Sequence, residues 1–155
     1  MRLIWSKSKS ITGPLITWGL NSPVSHFAIE FHDDIIFHSN FSGINVMHKS
    51  DFLKKSDVVY SKTIDMSFED EAMLLSNIMK NYYGKKYDWK WFISLSIAAV
   101  KNRILGTPLP EDVKSKSRDK YLCTECVTFL EPVIGKVDIG NGSPYLLAKQ
   151  LKCVG

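Results

Sequence analysis

Three residues of this chain are of types that together do covalent chemistry: Cys123, His26 and His38. The apolar run Tyr121 to Leu130 predicts a helix beginning around Cys123 and closed by Pro132. A thiol at a helix start feels the positive end of the dipole, and a neighbouring imidazole lowers its pKa further from about 8.5. The expectation is a thiolate at neutral pH. A cysteine nucleophile also needs a base within hydrogen-bond reach and a polar group to orient that base. His26 is the candidate base and His38 the residue that holds its tautomer. Against this stands a simpler account, in which Cys123 is a packing residue and the histidines are structural.

The stretch Ser25 to His38, SHFAIEFHDDIIFH, must position the imidazoles. Phe27, Ile29 and Phe31 alternate with Ala28 and Glu30, the period-2 pattern of a half-buried strand. Asp33-Asp34 supply turn chemistry, and Ile35-Ile36-Phe37 open a second strand, antiparallel to the first. His26 starts one strand and His38 ends the other, so a tight hairpin brings them side by side.

The other candidates carry less. Cys123-Thr124-Glu125-Cys126 is a CxxC, but no second CxxC or HxxxH gives zinc-finger spacing. A thioredoxin-type pair usually holds Gly and Pro between its cysteines, where this chain has Thr and Glu. A metal or redox role for the CxxC remains a third alternative. On a helix Cys126 falls one turn behind Cys123 and faces the core. Cys153 reads as incidental, His32 and His48 as surface polar residues, and Glu125 as a cap or a lysine partner. No phosphate-binding glycine loop and no GxSxG is present.

The 155 residues fit one ordinary domain, spanning 1–155, able to bury about 70% of its unfolded surface. An apolar fraction of 45% and a charged fraction of 23% are those of a globular chain. The net charge of +4 is spread over separate lysine clusters, short of a nucleic-acid signature. Three cysteines argue against a disulfide framework and for a reducing compartment. The N-terminal region lacks a clean signal-peptide core, which predicts a cytoplasmic chain, with delivery elsewhere by a non-Sec route left open.

Along the chain the patterns predict strands at Arg2 to Ser6, in the hairpin, at Ile44 to His48 and at Asp57 to Ile64. Helical stretches are predicted at Ile11 to Leu20, Ser50 to Leu53, Phe68 to Tyr82 and Tyr145 to Leu151. Ser67 with Asp70 caps the third of these, and Gly84 ends it. Tyr87 to Arg103 predicts a largely buried helix, apolar nearly all round. Gly106 to Lys120 predicts a surface loop, and Val133 to Ile139 a last strand or turn. The class is α+β, an antiparallel sheet packed against helices, with the nucleophile at a helix N-terminus.

These residues resemble a known family. SHFAIEFHDDIIFHS is similar to the histidine segment of the NlpC-type cysteine peptidases and amidases, with His26 and His38 twelve positions apart. Cys123 follows the histidines instead of preceding them, the order of the circularly permuted branch, the YiiX-like and LRAT-like proteins. Leu15 to Trp18 with Ser22 to His26 resembles the YiiX-like lead-in. Gly84-Lys85-Lys86-Tyr87-Asp88 resembles the G-x-x-Y-D element, Tyr121 to Glu125 the Y-x-C-S-E segment, and Ser143 to Leu146 an S-P-x-x-L. Thr124 stands where that segment has Ser, and His38 where many YiiX-like members have Glu. The resemblance implies a permuted papain-like fold and a Cys123-His26-His38 triad that needs no metal and no cofactor. It implies a hydrolase of amide or ester bonds working through a thioester. The implied partners are a peptide, a peptidoglycan fragment or an acylated substrate, with a membrane surface left open and no nucleic acid. A non-catalytic binding module on the same fold, or an acyltransferase or thioesterase acting on lipids, is the alternative.

Overall fold

The computed structural model describes residues 1–109, 120–137 and 143–154. Five strands form one antiparallel sheet: β1 (Arg2–Ser8), β2 (His26–Phe31), β3 (Ile35–Asn40), β4 (Gly43–His48) and β5 (Ser56–Thr63), in the order β4-β3-β2-β1-β5. The class is therefore α+β, with an antiparallel sheet and helices packed on it. Between β1 and β2 lies α1 (Thr12–Gly19), and between β4 and β5 lies α2 (Lys49–Lys55). After the sheet come α3 (Phe68–Tyr82) and α4 (Trp89–Leu105), then a 3₁₀ helix (Thr124–Leu130), α5 (Glu131–Ile134) and α6 (Pro144–Gln150). Two short strands, β6 (Lys86–Tyr87) and β7 (Lys120–Tyr121), pair in parallel.

Strand alternation sorts side chains onto two faces. Leu3, Trp5, Phe27, Ile29, Phe31, Phe37 and Ile44 point to one face, where Ile78 of α3, the 3₁₀ helix and α6 cover them in the main core. Ile4, Ala28 and Ile36 point to the other and meet Phe52 of α2 in a smaller cluster. His26 and His38 share this second face. Gly43 joins β4 to the chain before β6: at φ +110° it lies so close to the Lys85 carbonyl that a Cβ would sit 2.4 Å from it. That approach lets Ile44 N–H donate to Lys85 O at 2.8 Å.

Three expectations need correction. The helix predicted from Tyr87 runs from Trp89 and is mostly exposed; only Leu95 and Ala99 of α4 are buried, and its first turn also meets Phe41, which stacks on Trp89 and packs against Phe92. Pro132 does not close the cysteine helix: the turns after Cys123 are 3₁₀, and Pro132 sits in the first turn of α5, where its missing N–H is no loss. Val133 and Ile134 lie in that helix, not in a strand, and residues 138 and 139 lie outside the described residues. So does most of the loop predicted at Gly106 to Lys120. The cap at Ser67 is as expected, with Asp70 N–H donating to Ser67 Oγ at 3.1 Å. Among the described residues no helix is long and apolar enough to cross a membrane.

Candidate active site

The hairpin is built from both ends. At its turn Asp33 and Asp34 both adopt left-handed backbone, φ 59° and 57°, and Ile35 N–H closes the turn on His32 O. Two consecutive left-handed residues match the twist of the flanking strands, and Asp tolerates that conformation better than most. The turn is tied to α3: buried Glu71 accepts from His32 N–H at 2.5 Å and pairs with His32 Nδ1 at 2.5 Å. His32 is thus a bracing residue as well as a half-exposed one, which the sequence pattern did not reveal.

At the open end, β2 and β3 part after the pair Ala28–His38. The segment around Cys123 enters this fork. The Cys123 thiol accepts from the amides of Phe27 and Thr124, and the Cys126 thiol from the amide of Ser39. Ser39 Oγ donates to Tyr121 O at 3.0 Å. Glu125 caps the first turn, accepting from Leu122 N–H at 2.6 Å, one of the two roles expected of it. The thiol of Cys123 therefore sits on the peptide that follows His26, although the two residues are 97 positions apart.

His26 Nε2 lies 2.9 Å from His38 Nδ1, with the rings edge to face at 82°. Phe52 packs beside both, 6.2 Å from the His26 ring and 5.9 Å from that of His38. Only the Nδ1 of His26 is left for a proton from the cavity. Beyond His38, the Asn40 amide stands 3.4 Å from Nε2. Asn40 Oδ1 in turn accepts from Ser42 N–H at 2.8 Å and from Asn45 Nδ2 at 3.1 Å. His26, His38 and Cys123 line one cavity of about 520 Å³, together with Ser25, Ser39, Phe52 and Tyr87. The sequence reading thus named three residues that the fold brings to one cavity. It missed Phe52, Asn40 and Asn45, which no motif flags. Tyr87, part of the G-x-x-Y-D element, lines the same cavity without a role that its motif announces.

The electrostatics differ from the expectation. Burial pushes the Cys123 thiol up to about 11, outweighing the Phe27 and Thr124 amides that favour the thiolate. Burial, and then the neighbouring His38, hold His26 down to about 3. Burial holds His38 down to about 4, against a hydrogen bond with Asn45. Cys123 sits at the cap of a short 3₁₀ helix, so the dipole assistance expected of an α-helix is not there to oppose burial. The resting site holds a thiol and two neutral imidazoles, and the thiol makes no hydrogen bond to the His26 ring.

Cys126 is fully buried in the main core, as expected of a packing residue, and Cys123 and Cys126 are both free thiols. Comparison with protein-family models, with curated proteins and with solved structures gives no match.

Proposed function

We propose that this chain is a cysteine hydrolase of amide or ester bonds on a permuted papain-like, NlpC-type fold. The observation that carries the reading is the His26 Nε2 to His38 Nδ1 contact of 2.9 Å, which leaves His26 Nδ1 free at the cavity that Cys123 lines. The substrate class follows from the resemblance alone: a peptide, a peptidoglycan fragment or an acylated molecule.

In this reading the proton moves when the substrate arrives. Cys123 Sγ attacks the carbonyl carbon while its proton passes to His26 Nδ1, and an S–C bond forms. The imidazolium is stabilised by His38 Nδ1, which accepts from His26 Nε2–H. Backbone N–H groups at the start of the Cys123 turn stabilise the oxyanion. Collapse breaks the C–N or C–O bond, and His26 returns the proton to the leaving amine or alcohol. Water then cleaves the thioester by the same path, releasing the acid and restoring the thiol. This sequence requires the tautomer in which His38 carries its proton on Nε2, with the Asn45 side chain as the acceptor when His26 acts as base. A neutral resting pair makes the chemistry depend on substrate binding, because a substrate that fills the cavity excludes water and strengthens the new ion pair.

One observation favours a second reading, a non-catalytic binding module. A thiol near 11 with no imidazole bonded to it is what a retired site would hold. Alkylation of Cys123 as a function of pH separates the two. The hydrolase reading expects labelling near neutral pH that slows in His26→Ala and disappears in Cys123→Ala. A rate that climbs only toward pH 11 and ignores His26→Ala supports the binding module instead.

A further inference from the structure

The helix predicted to be buried presents an apolar stripe to solvent. On α4 the exposed residues Trp89, Ile93, Ile97 and Ile104 recur at helical spacing along one side, and Ile93, Ile97 and Ile104 are 53%, 52% and 67% exposed. The opposite side, Leu95 and Ala99, faces inward. Its neighbour α1 does the same: Ile11, Leu15 and Trp18 are exposed at i, i+4 and i+7. The two helices are locked together where Gly19 meets Ala99, since a Cβ at Gly19 would lie 3.1 Å from the Ala99 Cβ. Apolar surface of this extent on neighbouring helices marks a surface that meets something.

Charge says what. From Met1 to Ile29 and from Trp89 to Leu109 the sequence contains no Asp or Glu. Lys90, Lys101 and Arg103 are exposed on α4 itself, and Lys7 precedes α1. A second copy of the chain would bring the same cations to the same face, with no acidic residue on either helix to answer them. An anionic bilayer answers them with its headgroups while its acyl region takes the isoleucines, and tryptophans such as Trp18 and Trp89 suit the boundary between the two.

We infer that the α1–α4 face docks on the surface of an anionic membrane, lying in the interface without crossing it. A narrow cleft between the helices, walled by Leu15, Ile16, Phe92 and Leu95, ends at Cys123, so docking sets the thiol behind the contact surface. The docking stands or falls independently of any hydrolase activity.

The test is co-sedimentation of the full chain with vesicles, either of phosphatidylcholine alone or of equal parts phosphatidylcholine and phosphatidylserine. The expected result is binding to the anionic vesicles, weakened at least tenfold when salt rises from about 0.1 M to about 1 M. Ile93→Glu with Ile97→Glu, at positions already half exposed, should lower binding at least tenfold with an unchanged thermal midpoint. Lys90→Gln with Lys101→Gln, which removes no apolar surface, should lower binding to the anionic vesicles alone. Absence of binding to anionic vesicles, or equal binding by both double variants and the wild type, overturns the inference. So does a dimer in sedimentation velocity that the isoleucine variant dissolves while vesicle binding stays absent.

Discussion

Two thiols three positions apart, Cys123 at the cap of the 3₁₀ helix and Cys126 within it, meet the sheet in different surroundings. Cys126 enters the face carrying Trp5, Phe27 and Phe37, where the 3₁₀ helix and α6 close over it. Cys123, three positions earlier, comes to the end of β2 beside the face carrying His26 and His38, where Phe52 covers the rings from one side and a cavity remains. Both thiols accept an amide freed where β2 and β3 separate, and burial raises the pKa of both. What gives Cys123 its candidate role is therefore not burial, which raises both thiols. It is the presence of an imidazole pair and an open volume on one side. The fork in the sheet is thus the organising feature, since it takes up both thiols and spares the cavity.

The largest effect that would break this contrast is on activity. Cys123→Ala should reduce hydrolysis at least about 10³-fold. It too frees an amide, that of Phe27, but beside an open cavity where water can replace the thiol, so stability should stay within about 1 kcal/mol of wild type. Cys126→Ala should do the reverse. It leaves the Ser39 amide without its partner in a dry core and should cost about 1–3 kcal/mol in urea unfolding, with turnover per folded molecule retained. Equal losses of activity from both would show that the two faces are not functionally distinct.

The imidazoles sharpen the contrast by their order. His26→Ala should lower turnover by about 10²–10⁴-fold, as expected on loss of a general base. His38→Ala acts through His26 and should cost less, while His38→Gln, which keeps a polar partner for Nε2, should recover part of that loss. An equal fall for both alanine variants, without recovery by glutamine, would remove His38 as a positioning residue.

Acid should destabilise the cavity face specifically. Both imidazoles have folded pKa values, about 3 and about 4, below the ordinary 6.5. Between those values and 6.5 the unfolded chain binds more protons than the folded one, so stability falls as pH falls through that window. At pH 5 each histidine should cost about 2 kcal/mol relative to pH 8, at 1.36 kcal/mol per pKa unit. Urea midpoints at the two pH values check this, and His38→Gln should remove about half of the histidine-linked difference. A midpoint unchanged between them would mean that the rings are not held neutral.

The smallest effect concerns the far end of the hairpin. Asp34→Gly relieves one left-handed non-glycine residue and gives up an exposed pair with Lys49 at 3.1 Å. A net gain of about 0.5–1 kcal/mol is expected from thermal unfolding, with no change in activity.

How much of this was legible beforehand depends on the range of the interactions. The hairpin was readable because alternation and turn chemistry are local, and both histidines fell where period-2 counting put them. The pairing of Cys123 with that hairpin came from types and a family likeness, not from spacing, because a separation of 97 residues leaves no periodic trace. The thiol's acidity was misread, since helix dipole and imidazole are visible in sequence whereas desolvation depends on what closes over the group. The burial of α4 was misread for a related reason. An apolar composition all round predicts a buried helix, and only packing reveals that Ile93, Ile97 and Ile104 of α4 stay more than half exposed. Glu71 beneath the hairpin turn and Asn40 beside His38 belong to contacts that no pattern announces.

The central claim is that Cys123 is a nucleophile served by His26, and acylation tests it most directly. The protein would be mixed with a p-nitrophenyl ester, and the adduct followed by intact mass and peptide mapping alongside nitrophenolate release. The account predicts a burst close to one equivalent, a thioester on Cys123 with Cys126 and Cys153 unmodified, and formation slowed at least about 10²-fold in His26→Ala. No adduct on Cys123, or an adduct formed at the same rate without His26, would contradict it.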